Sequence, residues 1–327
     1  MKLGFYDDFR PCVVTDRGVV DISRVVRAFQ GGSPQLLLEN IITNFAFLRP
    51  KLEAAAARSK AIPLQEVRLR PPVPRPGKTL MGQGNYMESV TDGVRKPLSL
   101  FFKSPDAIIG PGDTVVLPPF EARIFHHEAE LALVIGAPAH NVPEARAMEH
   151  VFGYLAGVDV SARAPWIGGP GITPNTGEGP WMPGNFGKCF DTFHPIGPWI
   201  VTADEIKDPH NLHVQYRVNG QIRHDYHTSD MEHRIPELIA TMSSIMTLKP
   251  GDLFMCGTNH EGLGPLQDGD VGEIEIDGIG KFSNPVVDEL KRSWHHSVDA
   301  MAAGTVRERR PPINCGESTS ASGRPKG

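Results

Sequence analysis

His126-His127-Glu128-Ala129-Glu130-Leu131-Ala132-Leu133-Val134-Ile135-Gly136 is the stretch on which the reading of this 327-residue chain turns. Its second half is a continuous apolar run closed by glycine, which predicts a buried strand. Its first half delivers two glutamates into that strand. Residues i and i+2 of a strand point to the same face, so Glu128 and Glu130 project together. Two adjacent carboxylates repel unless a counter-charge sits with them. A divalent cation supplies one, and an all-oxygen donor set favours Mg²⁺, Mn²⁺ or Ca²⁺ over zinc. Taken by itself, Glu-x-Glu also fits a solvated strand face. His126 shares the parity of the glutamates and His127 does not, so the two histidines cannot both join them. Hard cations rarely take imidazole, so His126 reads as a supporting residue.

Downstream, Tyr154-Leu155-Ala156-Gly157-Val158 is a second apolar strand, and Asp159 ends it just before Val160-Ser161-Ala162-Arg163. A carboxylate at the end of a buried strand is costly unless paired. Either Arg163 or a metal is its partner. Leu253 to Thr258 reads as a further apolar strand. Val271-Gly272-Glu273-Ile274-Glu275-Ile276-Asp277 alternates with period two and reads as half-exposed. Asn141 is expected to cap a short helix reaching about Phe152, and Ser229-Asp230-Met231-Glu232 to form a capping box for a helix reaching about Met246. The Gly- and Pro-rich residues 167–187 read as a functional loop.

Upstream, residues 3–22 read as a hairpin around Asp16-Arg17-Gly18. Ser33-Pro34 opens a helix with Leu37, Ile41, Ile42 and Phe45 at helical spacing. Pro50 is expected to interrupt it, with a second, Ala-rich helix running to about Arg58. Prolines 63, 71, 72, 74 and 76 mark a boundary. The expected organisation is a small N-terminal α/β domain over 1–70, a catalytic domain over 78–292 and a disordered tail over 303–327. The chain has 34 glycines and 30 prolines, above the usual shares of about 7% and about 5%. Many turns and few long helices follow, hence an α+β, β-rich class.

Lys and Arg total 33 and Asp and Glu 38, a net charge of −5. That balance argues against a nucleic-acid partner. No apolar run approaches the ~20 residues that span a bilayer, and the N-terminus lacks a signal-peptide core. A cytoplasmic protein with no membrane partner is expected. The four cysteines, Cys12, Cys189, Cys256 and Cys315, form no Cys-x-x-Cys pair and read as free thiols.

Taken together, the motifs resemble the fumarylacetoacetate hydrolase superfamily over roughly residues 78–290. The resemblance rests on Gly84-Asn85-Tyr86, Phe101-Phe102-Lys103-Ser104-Pro105, His127 to Gly136, Gly153-Tyr154 and Asp159-Val160-Ser161-Ala162-Arg163. It continues through Gly187-Lys188-Cys189-Phe190-Asp191, Val218-Asn219-Gly220, Leu248-Lys249-Pro250-Gly251-Asp252 and Cys256-Gly257-Thr258. It implies a mixed β-sandwich or β-roll core and a homodimer. It also implies a divalent metal, Mg²⁺ or Mn²⁺ with Ca²⁺ an option, on Glu128, Glu130 and Asp159. The implied substrate is a small oxo acid whose adjacent oxygens chelate the metal. Lys188 matches a family lysine beside that centre. Asn85, Tyr86, Arg163, Gly257 and Thr258 are the implied substrate contacts, and Trp166, where the chain departs from its relatives, is a further expected one.

The chain departs from that pattern at the lid, residues 86–97. Family hydrolases carry a His and a Glu there that activate water. Here Ser89 and Asp92 stand in those places, and serine is no general base near neutral pH without help. His224 or His260 is the candidate replacement. Trp166 would make an aromatic wall. The first functional reading is a metal-dependent C–C hydrolase of an acylpyruvate-like 2,4-dioxo acid, as in aromatic-compound catabolism. The alternative is an isomerase, tautomerase, decarboxylase or hydratase of a 2-oxo acid on the same site. A non-catalytic, metal-bound ligand binder is a third, against which Lys188 beside the carboxylates speaks.

Overall fold

The computed structural model describes residues 1–87, 95–119, 121–164, 184–300 and 302. The chain begins with three antiparallel strands, β1 (Lys2–Tyr6), β2 (Arg10–Thr15) and β3 (Gly18–Asp21). The β2–β3 pair is the hairpin expected around Asp16-Arg17-Gly18. Helix α1 (Pro34–Thr43) opens on Ser33, whose hydroxyl accepts from the Leu36 N–H at 3.2 Å.

Helix α2 (Phe45–Arg58) starts after Asn44 and runs through Pro50. The expected break at Pro50 is thus found at Asn44. Pro50 lies in the second turn of α2, where it removes one helical hydrogen bond to the Ala46 carbonyl. Leu48 and Leu52 on either side are buried and hold the helix to the core across the proline.

Strands β4 (Leu69–Arg70), β5 (Thr79–Gln83), β6 (Ser99–Phe102), β7 (Ile108–Ile109), β8 (Val115–Leu117) and β9 (Ile124–His126) lead to β10 (Ala129–Ile135). A short helix, α3 (Glu144–Ala147), separates β10 from β11 (Val151–Val158), and β12 (Ser161–Arg163) follows at once. The rest comprises β13 (His194–Thr202), β14 (His213–Val218), β15 (Gln221–His227), α4 (Ile235–Ile245), β16 (Leu253–Met255), β17 (Val271–Ile276) and β18 (Gly280–Asp288).

Eleven strands share one sheet along the path β3-β2-β1-β13-β11-β10-β16-β5-β6, with β4 beside β1 and β7 beside β13. Five more form β15-β14-β17-β18-β8, and β9 pairs with β12. The parallel pairs β5·β16, β7·β13 and β8·β18 make the sheets mixed. Strand β10 shows how the layers arise from its alternation. Leu131, Leu133 and Ile135 face a core shared with Val214 and Tyr216 of β14 and Ile274 and Ile276 of β17. Ala132 and Val134 face another, shared with Leu37, Ile41, Leu48 and Leu52 of α1 and α2. The helices, the large sheet and the smaller sheet therefore stack in that order. This is the β-rich α+β class with mixed, sandwiched sheets that the sequence indicated.

The pairings Lys2↔Val201 and Leu3↔Ile200 join β1 to β13. Residues 1–21 therefore extend the sheet of the body across the proline-rich stretch 62–78.

Two helix starts differ from expectation. Asn141 has a φ of +50° and its N–H donates to the Ser243 carbonyl, so it caps nothing; α3 begins after Pro143. Thr228–Asp230 is a short 3-10 turn, and α4 begins at Ile235 with Pro236 in its first turn. Proline suits that position, and Glu232, meant for the capping box, accepts the Lys96 N–H at 2.7 Å instead. No helix among the described residues is long and apolar enough to cross a membrane. Cys12, Cys189 and Cys256 are free thiols, and Cys315 lies outside the described residues, as does the tail 303–327.

Candidate metal centre

The β10·β11 ladder assembles the site. Ala129 pairs with Val158 and Glu130 with Gly157. One step further, the Asp159 N–H donates to the Glu128 carbonyl at 2.7 Å. The strand-end aspartate therefore lies beside the face on which Glu128 and Glu130 project. One ligand atom from each of the three carboxylates lies within 4.8 Å of the others, and all three residues are buried.

Buried carboxylates need partners, and each finds different ones. Lys188 Nζ donates to Glu128 Oε2 at 2.7 Å and to Asp159 Oδ2 at 2.5 Å. Arg163 Nη2 donates to Glu128 Oε1 at 2.5 Å, beside the Ser161 hydroxyl at 3.1 Å. Lys103 Nζ is wholly buried and donates to Asp159 and, at 2.7 Å, to the Phe193 carbonyl. The cationic partners of Asp159 are thus two lysines, and Arg163 serves Glu128. Glu130 accepts the Gly257 N–H at 2.6 Å and touches no side-chain cation among the described residues.

The electrostatics follow. Burial pushes the Glu128 carboxyl up, but Lys188, Arg163 and His260 together outweigh it and hold it well below the usual carboxylate range. Burial, and then the charges of Asp159 and Glu128, push Glu130 well above that range. Burial lowers Lys103 despite Asp159. For Lys188 burial is outweighed by Asp159 and Glu128, so its ammonium is strengthened. An all-oxygen set with one uncompensated carboxylate fits a hard divalent cation, which Glu128, Glu130 and Asp159 would hold.

Gly257 has a φ of +88°, and a Cβ there would lie 2.9 Å from Asn85 Cβ, so the close approach of its N–H to Glu130 needs glycine. Asn85 is buried with its amide fully used. It donates to the His233 and Cys256 carbonyls at 3.0 and 2.8 Å and accepts the His233 N–H at 2.8 Å. Tyr86 is buried edge-on to Tyr226, with ring centroids 5.0 Å apart. Thr258 is buried, its hydroxyl 3.3 Å from the Asn259 carbonyl. His260 is half-buried on the next loop, close enough for its charge to act on Glu128. His224 packs among His127, Tyr216 and Tyr226, with Nε2 3.1 Å from His127 Nδ1. Trp166, Glu88, Ser89 and Asp92 lie outside the described residues, as does most of the loop 167–187.

The structure thus gathers Glu128, Glu130, Asp159, Lys188, Arg163 and Gly257, with His260 at their edge. Asn85, Tyr86 and His224 sit in the packing around them. Lys103 carries a role that sequence reading left unassigned. Its signal was a lysine directly ending the apolar run Leu100-Phe101-Phe102, an arrangement that buries a charge only against a partner.

A family model described as fumarylacetoacetate (FAA) hydrolase C-terminal matches residues 81–287. A maleylpyruvate hydrolase of Aquipseudomonas alcaligenes is 32% identical over 86% of this chain and 98% of its own. A mitochondrial oxaloacetate tautomerase of Bos taurus is 35% identical over 83% of this chain and 84% of its own. Among solved structures, the maleylpyruvate hydrolase from Sphingobium sp. SYK-6 in complex with manganese(II) ion and pyruvate is 36% identical. It covers 88% of this chain and 99% of its own, with a TM-score of 0.76.

Proposed function

This chain belongs to the fumarylacetoacetate hydrolase family, and from that premise we propose a divalent-metal-dependent hydrolase that cleaves a C–C bond in an acylpyruvate-like 2,4-dioxo acid. Aromatic-compound catabolism is the setting that suits such a substrate. The observation that carries the reading is the Lys188 ammonium held against both Glu128 and Asp159. When bound, Mg²⁺ or Mn²⁺ supplies Lewis-acid stabilisation of the enolate-type charge that C–C cleavage develops. Lys188 presents a fixed N–H donor toward the same charge and holds its proton at Nζ. Arg163 and Ser161 fix Glu128 Oε1. His260, near enough to Glu128 to interact with it electrostatically, is, as the neutral imidazole, the group assigned to water activation. The hydrolase relatives, one of them complexed with manganese and pyruvate, support this reading.

A second reading keeps the site and omits the water, giving a tautomerase or isomerase of a 2-oxo acid, or a decarboxylase. Ser89 in place of the family histidine and the tautomerase relative support it. Turnover of 2,4-dioxo acids with Mn²⁺ in ¹⁸O-water separates the two. Hydrolysis places solvent oxygen in a new carboxylate; keto–enol exchange without label favours the second reading. Neither outcome across both substrate classes removes both readings.

A homodimer is part of the proposal. The place of β15 at the end of its sheet among the described residues, with exposed Ile222 on it, supports it. Sedimentation giving only a 35.7 kDa species overturns it.

A further inference from the structure

The family match ends at residue 287, yet the chain beyond it returns to the site. Trp294 packs edge-on against Phe125, with ring centroids 5.9 Å apart, and donates its indole N–H to the Arg123 carbonyl at 2.6 Å. The Asp299 N–H then donates to the Leu263 carbonyl at 2.7 Å, on the loop that carries His260. The Asp299 carboxylate lies 2.9 Å from His126 Nε2. On the other side of that ring, Arg163 Nε donates to His126 Nδ1 at 3.3 Å. Arginine has no acceptor, so Nδ1 must accept, and the ring proton sits on Nε2. Asp299 receives that proton's hydrogen bond. The tautomer is therefore set from both sides. Arg163 passes the constraint on through Nη2 to Glu128 Oε1 at 2.5 Å.

We infer that Asp299, on a segment outside the family domain, is a positioning residue for the metal centre, acting through His126 and Arg163 on the Glu128 carboxylate. The inference rests on the metal reading above. A guanidinium held only by its Nη2 swivels about that bond. Held at Nε as well, its plane is fixed, and with it the direction of Glu128 Oε1. Groups that orient ligands from behind in this way are worth about 10–100-fold in metal affinity or activity. His126 and the Asp299 side chain are both buried, at 2% and 7% exposure, so water does not compete for the link.

The test titrates MnCl₂ into the metal-free full chain by calorimetry. Asp299→Ala is expected to weaken Mn²⁺ binding about tenfold or more. Asp299→Asn keeps an oxygen acceptor for the Nε2 proton and is expected to stay within about threefold of the parent chain. Asp299→Ala leaves the buried His126 Nε2 proton unpaired, so its metal-free melting temperature should fall by about 2–8 °C, whereas that of Asp299→Asn should stay within about 2 °C of the parent. Unchanged Mn²⁺ affinity in Asp299→Ala overturns the inference. So does a loss in both variants that follows a fall in melting temperature and is not rescued by asparagine. A parent chain that takes up no Mn²⁺ overturns the metal reading itself, and the link with it, so the two failures are distinguishable.

Discussion

His127 and Glu128 are neighbours in the chain and enter two different electrostatic worlds. His127 shares the parity of Leu131 and Leu133 and lies between the two sheets, packed at a tilt against Tyr216 with ring centroids 4.5 Å apart. It is fully buried, its Nε2 has no hydrogen-bond partner among the described residues, and burial pushes its pKa well below the usual value. Glu128, one residue on, meets Lys188, Arg163 and Ser161. The inter-sheet face tolerates polar rings only as neutral groups. The site face tolerates charge only where a cation answers it, and Glu130 is the carboxylate left unanswered. A histidine beside a catalytic-looking glutamate is therefore a core residue here, and the chemistry collects on one parity.

The largest expected effect tests the charged face at Glu130. Glu130→Ala should cost more than the ~10–100-fold typical of groups behind the ligands, with the circular dichroism spectrum unchanged. Calorimetry with Mn²⁺ reads it, and parent-like affinity would remove the metal assignment. Next, Lys188→Met should lower turnover by about 10²–10⁴-fold while Mn²⁺ still binds. Steady-state kinetics at saturating metal check this; a change confined to KM would assign Lys188 to substrate binding alone.

Lys103→Met probes compensation without chemistry. It strands Asp159 on one side and should cost about 3–5 kcal/mol, read from urea unfolding of the metal-free chain. A loss below about 1 kcal/mol would mean that Lys188 alone suffices. On the neutral face, His224→Ala should destabilise by about 2 kcal/mol and change turnover less than His260→Ala. The reverse order would move the base to the inter-sheet face and break the comparison.

The smallest effect is a pH slope. Burial, with Lys103 and Lys188 nearby, holds His194 well below its ordinary pKa, as burial does for His127. A depressed histidine favours the neutral form in the fold. Its stability is present in full above the unfolded value of about 6.5 and is lost as pH falls below that toward the folded value. His194→Leu should flatten the acid slope of the free energy of urea unfolding by up to about 1 kcal/mol per pH unit. An unchanged slope would show that His194 titrates alike in the folded and unfolded states.

Much of this was legible locally. The hairpin at Asp16-Arg17-Gly18, the Ser33 cap, the β10 strand and the shared face of Glu128 and Glu130 each follow from spacing within a few residues. Asp159 as a strand-end carboxylate was legible too, though not its partners. The helix starts at Phe45 and Ile235 escaped, because packing carried α2 through Pro50 and Glu232 was drawn to Lys96 instead of closing a cap.

Alternation with period two is a property of the backbone, so the sequence alone determined which side chains share a face. Which donor answers which carboxylate was decided only by tertiary structure. Lys103 reaches Asp159 from 56 residues away, Arg163 reaches Glu128 from 35, and Asp299 reaches His126 from 173. Sheet register and the return of the C-terminal segment set those distances, and burial makes each pairing obligatory, since an unanswered charge in that interior is costly.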